Sequence, residues 1–288
     1  MQTIMIIGCG DIGRRVASGY QQSSVSLRGL VQSQSSADFL STLSIRPIRA
    51  DLDDPDSLNS ITYQDDLVFY FAPPPSTGRE DSRMANWLAS LKTNNLPKKV
   101  VLISTTAVYG DSGGDWITEQ STIAPGTDRG LRRFDAEQRL TKWAEANRVD
   151  YVILRVPGIY GPNRLPRQRL EEARPVLNEV ECGFTNRIHS DDLAMICQLA
   201  AQRAKSGEIF NVSDGHPSTM TDWFNQVADF LQLPRPPQIS MQEAEQVMTA
   251  GMLSYLKESR RIDNAKMLAD LKIDLAYKTI KEGIPASV

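Results

Sequence analysis

Short apolar runs alternate with amphipathic stretches through the first half of the chain. Runs of β-branched and aromatic residues predict strands, and a spacing near 3.6 residues predicts helices. The predicted strands are 3–7, 25–31, 45–48, 67–72, 99–104 and 151–155, and the predicted helices are 12–20, 36–43, 80–91 and 129–147. This alternation is typical of βαβ units and predicts a parallel sheet.

The pattern changes after residue 162. A polar stretch rich in arginine, 164–174, predicts an irregular excursion. A helix at 191–203 and a strand at 208–212 follow, and then a helix at 221–231 and a mostly helical remainder. We therefore expect one domain at 1–162 and a cap region at 163–288, with a segment near 188–215 returning to the sheet.

The first predicted strand runs directly into three glycines. Gly8 permits a sharp turn, Gly10 allows a close approach of the backbone to a pyrophosphate, and Gly13 lets the next helix pack on the strand. The N-terminus of that helix presents free N–H groups to an anion. Residues Gly8, Gly10, Asp11, Ile12 and Gly13 therefore predict a dinucleotide site, with a purely structural glycine turn as the alternative.

Composition and charge exclude several classes of protein. The chain has 288 residues, with 32 Lys and Arg against 35 Asp and Glu, so a nucleic acid is not expected as the main partner. No apolar run approaches the roughly 20 residues that span a bilayer, and Met1 leads into a strand, so we expect a cytoplasmic protein without a signal peptide. Cys9, Cys182 and Cys197 lack metal-ligand spacing, and no metal site is expected.

Several segments, in order, resemble the extended short-chain dehydrogenase/reductase family, which includes nucleotide-sugar epimerases and dehydratases. They are G-C-G-D-I-G at Gly8, A-D-L-D at Ala50, V-F-Y-F-A at Val68, I-S-T-T-A-V-Y-G at Ile103, L-R-V-P-G-I-Y-G-P at Leu154, R-I-H-S-D-D-L-A at Arg187 and E-I-F-N-V-S-D-G at Glu208. The resemblance implies a Rossmann doubly wound parallel sheet with helices on both faces, and a small C-terminal cap for substrate. It also implies NAD or NADP as cofactor and a small-molecule substrate, for which a nucleotide sugar or another anionic compound is expected.

The resemblance also assigns residues to the cofactor. It implies that Asp51 hydrogen-bonds the adenine and that Ala72 and Pro73 lie under the adenine ribose and pyrophosphate. Leu52 and Ser104 belong to the same expected cofactor site. For Asp51, a helix-capping loop residue is the alternative.

Thr105 matches the family's Ser or Thr that orients the substrate, and Thr106 is expected beside it. For Thr105, a strand-end hydroxyl that bonds backbone is the alternative.

The chain departs from the family at its catalytic pair. The family begins its long helix with a Tyr, a Lys four residues later and a Glu four residues after that. Aligning the Glu with Glu137 places Arg129 at the Tyr position and Arg133 at the Lys position. A guanidinium stays protonated and cannot exchange a proton. The chain therefore resembles the atypical branch of the family, and His189 is the candidate replacement, with a hydrogen-bonded linker as its alternative.

Four arginines are candidates for an anionic substrate: Arg129, Arg133, Arg164 and Arg187. Guanidinium groups make forked hydrogen bonds to phosphate or carboxylate, and a solvated charged face is the alternative for most of these residues. The resemblance further implies a homodimer built from the helices at 80–91 and 129–147.

The end of the second strand bears on the choice of cofactor. It carries Gln32 and Ser33 where NAD-selective proteins have an acid. Together with Arg14 and Arg15, this favours NADP over NAD. Two functions remain open: an epimerase, dehydratase or reductase of unassigned substrate, and a sensor or regulator that binds the cofactor without turnover.

Overall fold

A seven-stranded parallel sheet forms the centre of the computed structural model, which describes residues 2–21 and 23–288. Its strands are β1 Gln2–Ile7, β2 Val25–Val31, β3 Arg46–Arg49, β4 Leu67–Tyr70, β5 Lys99–Thr105, β6 Asp150–Val156 and β7 Glu208–Asn211. They lie in the order β7-β6-β5-β4-β1-β2-β3. The order reverses between β1 and β4, as in a doubly wound fold, so the predicted fold class is confirmed.

Eleven helices are found in the described residues. They are α1 Asp11–Ser18, α2 Gln34–Thr42, α3 Ser82–Ser90, α4 Asp128–Asn147, α5 Arg167–Glu171, α6 Ser190–Arg203, α7 Met220–Leu231, α8 Met241–Val247, α9 Ala250–Leu256, α10 Ala265–Leu271 and α11 Ile280–Gly283. Across the described ranges, none is long and apolar enough to cross a membrane.

Both faces of the sheet are covered by helices. The alternation of β1 sends Ile4 and Ile6 to one face and Met5 and Ile7 to the other, and all four are fully buried. Helices α1, α2, α6 and α10 cover the first face, and α3 and α4 cover the second. Burying one such side chain contributes roughly 1.5–3 kcal/mol. The two apolar layers therefore hold the helices against both faces of the sheet.

The cap has its own apolar cluster. Trp223 and Phe224 of α7 pack with Leu170 of α5, Val176 and Tyr160. The predicted irregular stretch at 164–174 thus contains helix α5, because Leu170 gives that segment one buried face. Strand β7 pairs with β6, which ties the chain between α6 and the cap to the central sheet.

Candidate functional site

The glycine loop between β1 and α1 forms one side of a groove at the carboxyl ends of β1, β2 and β4. Gly8 has φ of +78°, and a Cβ there would lie 2.6 Å from the backbone nitrogen of Ala72. A Cβ at Gly13 would lie 2.9 Å from Cγ2 of Ile6. At Gly10, the nearest atom is 4.0 Å away. Gly8 and Gly13 are therefore required for packing, whereas Gly10 borders open space.

That open space suits an anion. Gly10 is the N-cap of α1, and no side chain caps this helix, so its first N–H groups and positive dipole end face the groove. The groove has a volume of about 400 Å³, and its lining includes Ala50, Leu52, Ala72 and Pro73. The residues present thus fit a dinucleotide.

Polar groups line the far end of the groove beyond β2. Gln32 donates from Nε2 to Oδ2 of Asp51 at 2.7 Å, and Asp51 also accepts from the backbone N–H of Asp53 at 2.9 Å. Ser33 caps α2 by accepting from the backbone N–H of Ser36. The Arg14 guanidinium lies 5.0 Å from the centre of the Phe39 ring. This end therefore presents amide, hydroxyl and guanidinium groups beside the Asp51 carboxylate.

Cys9 also lines the groove. Burial raises the pKa of its thiol to about 12, so it stays protonated at neutral pH and acts as a small apolar residue.

An ion cluster joins the glycine loop to the segment after β6. Asp11 accepts from Nε of Arg164 at 2.7 Å and from Nε of Arg15 at 3.1 Å, and Arg15 also binds Asp191. Burial alone raises the pKa of Asp11, but hydrogen bonds and charge from Arg164 and Arg15 hold it below its usual value. The predicted substrate residue Arg164 is thus placed at the N-terminus of α1.

The first turns of α4 carry Arg129 and Arg133, the two arginines predicted from the sequence to occupy the positions of the family's catalytic pair. Arg133 donates to the carbonyl oxygen of Ala72 at 3.1 Å, and burial lowers its pKa. Arg129 lies four residues earlier, with its guanidinium 4.9 Å from the centre of the Tyr255 ring. Arg133 therefore reaches the glycine-loop side, whereas Arg129 faces the cap.

A second pocket lies at the carboxyl ends of β5 and β6, beneath the cap. Its volume is about 230 Å³, and Thr105, Thr106, Pro157 and Arg129 form part of its lining. Thr105 accepts from the backbone N–H of Ala107 at 3.3 Å, so its own hydroxyl proton remains available to a ligand. Three of the predicted substrate residues, Thr105, Thr106 and Arg129, thus lie in the lining of one cavity.

The cap contributes residues to the second pocket that no sequence motif indicated. Tyr255, Glu258 and Arg260 line it, and Glu258 is only 9% exposed. Arg260 binds Glu258 and donates to the carbonyl oxygen of Gly110 at 2.7 Å. The single available signal was the four charged residues among positions 257–261, in a mostly helical tail. No family motif covers this segment.

A buried polar network supports the strands under the second pocket. Ser104 donates its hydroxyl to Glu137, and Glu137 pairs with Arg155 at 2.7 Å. Arg155 also donates to the hydroxyl of Tyr109 at 2.9 Å, and Tyr109 donates to Asn211. Ser104, predicted as a cofactor residue, thus points its hydroxyl toward α4.

Two predicted site residues lie inside the cap interface. His189 is fully buried, and its Nδ1 accepts from the backbone N–H of Asp191 as the cap of α6. Burial lowers the pKa of His189. The buried Arg187 stacks on Trp223, 4.8 Å from the ring centre, and fills the space beside Gly158. Neither side chain lines the second pocket.

The described residues contain no group of three or more His, Cys, Asp or Glu side chains arranged to hold a metal ion. The site is thus made of hydroxyl, amide, carboxylate and guanidinium groups.

Comparisons with known proteins identify a family and a fold. A model of the NAD dependent epimerase/dehydratase family matches residues 4–213. No curated protein matches the chain. A functionally unknown conserved protein from Silicibacter pomeroyi DSS is similar over 99% of this chain and 98% of its own, with 24% identity and a TM-score of 0.83.

Two further solved structures are similar at lower sequence identity. The UDP-glucose 4-epimerase of Thermotoga maritima, solved with UDP-glucose, has 18% identity and a TM-score of 0.82, covering 99% and 97% of the two chains. The UDP-glucuronic acid 4-epimerase of Bacillus cereus, in complex with NAD, has 16% identity and a TM-score of 0.77 over the same shares. At these identities, the similarity establishes the fold.

Proposed function

Because the chain belongs to the NAD dependent epimerase/dehydratase family, we propose that it binds NAD(P)(H) and acts as an oxidoreductase or isomerase on a nucleotide sugar. The observation that carries this proposal is the open space beside Gly10 at the N-terminus of α1. A Cβ there meets only one atom, at 4.0 Å, while the uncapped N-terminus of α1 faces the same space. A purely structural turn needs no such gap.

Each part of the groove has a role in binding. The N–H groups of Asp11, Ile12 and Gly13 in the first turn of α1 would hold the pyrophosphate. Asp51 would accept from the adenine, and the backbone of Ala72 and Pro73 would lie beneath the ribose. The bound cofactor would supply hydride transfer from and back to the substrate.

The second pocket holds the reacting part of the substrate. Thr105 and Thr106 donate hydroxyl protons to a substrate oxygen, and Arg129 attracts an anionic group. Sugar nucleotides are proposed as the substrate class because the similar solved epimerases carry or are named for them.

The end of β2 favours NADP over NAD in this proposal. An acidic residue at this position would grip the ribose 2′-hydroxyl of NAD and repel the phosphate of NADP. Gln32 and Ser33 carry no charge, and Ser33 lies at the N-terminus of α2, where a phosphate is stabilised. Arg14 lines the same end of the groove.

A sensor or regulator without turnover is the second candidate. It is favoured by Arg129 and Arg133, which stand where the family has its proton-transfer pair. Arg133 bonds the carbonyl oxygen of Ala72, so it joins α4 to the groove without exchanging protons. Such a protein binds the dinucleotide but produces no substrate-dependent change in nicotinamide absorbance.

The Gly10→Val variant tests the dinucleotide site. Its side chain fills the space above α1, so the affinity for NADP⁺ and NAD⁺ in calorimetry is expected to fall at least about 100-fold, or roughly 2.7 kcal/mol. Circular dichroism and thermal unfolding are expected to stay near wild type, because a Cβ at position 10 would meet no atom closer than 4.0 Å.

Gly251→Val is the matched control, since a Cβ at Gly251 meets nothing within 4 Å and this residue lies on the cap helix α9. It should keep wild-type affinity. Unchanged affinity in Gly10→Val would reject the assignment.

A further inference from the structure

One carboxylate in the second pocket has an oxygen that nothing in the described structure satisfies. Glu258 is 9% exposed, and its Oε2 binds Arg260 and lies 3.8 Å from the nearer Arg129 nitrogen. Its Oε1 is shielded from solvent and has no hydrogen-bond partner among the described residues. Leaving such a group unpaired costs roughly 1–3 kcal/mol. Fifteen other buried side-chain atoms of the described residues also lack a partner, but Glu258 is the one residue among them that lines the second pocket.

We propose that Glu258 is the proton-transfer residue of the second pocket, with Oε1 taking the proton of a substrate hydroxyl and returning it. This inference rests on the proposed function. It replaces the absent Tyr and Lys with a residue from the cap, far from α4 in the sequence. Arg260 is then a positioning residue, since it holds Oε2 and is itself anchored on Gly110.

The surroundings of Oε1 suit this role. A Cβ at Gly126 would lie 3.9 Å from Oε1, so this oxygen points toward the residue that precedes the cap of α4. The positive end of a helix dipole stabilises a carboxylate nearby. Oε1 of Glu258 therefore lies beside a position that has no side chain, near the N-terminal end of α4.

The other groups in the pocket are less suited to proton transfer. Arg129 and Arg260 remain protonated at any working pH. Tyr255 is the remaining titratable residue of the lining, and the Arg129 guanidinium covers its ring. His189, the candidate from the sequence, caps α6 outside the pocket. Among these residues, only Glu258 combines burial, a free oxygen and a group that can take up and release a proton.

The proton and electron balance of the step is simple. As the substrate carbinol is oxidised, its O–H proton passes to Oε1 of Glu258 while the carbon–hydrogen bond breaks and the hydride goes to the nicotinamide. Thr105 donates its hydroxyl proton to the substrate oxygen and orients it. In the reverse direction, Oε1 returns the proton as the carbonyl is reduced.

The Glu258→Gln variant keeps the size and hydrogen-bonding shape of the side chain but cannot take the proton. Single turnover is measured with NADP⁺ or NAD⁺ and UDP-glucose, UDP-glucuronic acid or UDP-N-acetylglucosamine. The rate is expected to fall roughly 100- to 10,000-fold. Calorimetric affinities for dinucleotide and sugar nucleotide should stay within about threefold, because the binding groups remain. Glu245→Gln, an exposed cap residue paired with Lys257, is the control.

A readout without cofactor completes the test. In infrared pH titrations of the cofactor-free protein, a carboxylic acid band is expected that Glu258→Gln lacks. The pH midpoint of that band should match the pH profile of the wild-type rate, and Glu258→Asp should retain part of the rate.

The proposal is overturned by a Glu258→Gln rate within threefold of wild type, by a larger loss in Tyr255→Phe, or by the absence of that band. Normal dinucleotide binding without turnover of any of the three sugar nucleotides also overturns it. Failure of dinucleotide binding instead rejects the proposed function.

Discussion

The dinucleotide groove and the second pocket lie at the same edge of the sheet but are built in different ways. The groove takes its lining from residues within the first 83 positions, and its shape depends on backbone at Gly8, Gly10 and Ala72. The second pocket takes its lining from segments between Thr105 and Arg260. One site is local in sequence and made by backbone, whereas the other is assembled by tertiary structure from side chains.

The two sites also differ in their charge. The groove offers helix N–H groups, amides and hydroxyls to a pyrophosphate, which needs little specific chemistry from side chains. The second pocket places two guanidinium groups around Glu258 in a small cavity. A fold of this kind therefore keeps a common cofactor end and varies its chemistry at the cap.

Breaking the ion pair beneath the second pocket is expected to have the largest effect. Arg155 and Glu137 are 3% and 4% exposed, and removing one partner of such a pair costs roughly 3–5 kcal/mol. The Arg155→Met variant should therefore lose that much free energy of unfolding in urea denaturation. Arg155 and Ser104 adjoin the residues that line the second pocket, so UDP-glucose affinity should fall more than NADP⁺ affinity.

The double variant Arg155→Met, Glu137→Gln is the control for this prediction. It removes the uncompensated charge, while the new amide oxygen at position 137 still accepts from Ser104, so at least half of the lost stability should return. A single variant as stable as wild type would show that the pair adds nothing to the support of this pocket.

The difference between the two sites also explains what sequence reasoning could reach. The order of strands and the helices on both faces follow from the periodicity of apolar residues. The glycine loop was predictable because the backbone at Gly8 and Gly13 has no room for a side chain. Thr105 and Arg129 were accessible through the resemblance, because they adjoin recognisable motifs. Their roles toward a ligand stay predictions.

The cap residues were not accessible in the same way. Glu258 and Arg260 belong to no motif, and their meeting with Thr105 depends on how the cap folds back over β5 and β6. Arg164 was expected to contact the substrate, but charge pairing with Asp11 fixes its position at α1. Arg187 and His189 were predicted from one motif, but both side chains point into the protein interior. Arg187 contacts Trp223, and His189 caps the start of α6.

A change at the end of β2 should alter cofactor choice without affecting the second pocket. Gln32→Asp introduces a carboxylate that accepts from the ribose 2′-hydroxyl and repels a 2′-phosphate. The ratio of the NADP⁺ to the NAD⁺ dissociation constant is expected to rise about tenfold, which corresponds to roughly 1.4 kcal/mol. Fluorescence or calorimetric titration with both dinucleotides measures it.

Gln32→Asn is the matched control, because it also shortens the side chain that reaches Asp51 but adds no charge. Its ratio should stay within about twofold of wild type. An equal rise in both variants would trace the effect to the Asp51 contact and remove the electrostatic argument for NADP.

The smallest expected effect decides to which site Arg164 belongs. Its pair with Asp11 is partly exposed, at 34% and 28%, so it is worth at most about 1 kcal/mol. In Arg164→Ala, the Asp11 carboxylate keeps Arg15 as a partner but loses Arg164. It then lies less compensated beside the expected position of the pyrophosphate. NADP⁺ affinity in calorimetry should then fall about two- to fivefold, and UDP-glucose affinity should not change.

The conditions of the measurement separate charge from packing as the cause of that Arg164→Ala deficit. The deficit should shrink at high salt, where such charges are screened. It should also shrink in the pH range where Asp11 is protonated in Arg164→Ala but still ionised in the wild type, because loss of Arg164 lets the pKa of Asp11 rise from its lowered value. Arg167→Ala, which removes an exposed arginine paired with Glu171, is the control and should leave both affinities unchanged. If UDP-glucose affinity falls instead and NADP⁺ affinity does not, Arg164 contacts the substrate, as the sequence predicted. Arg164 then belongs to the substrate site and not to the dinucleotide groove.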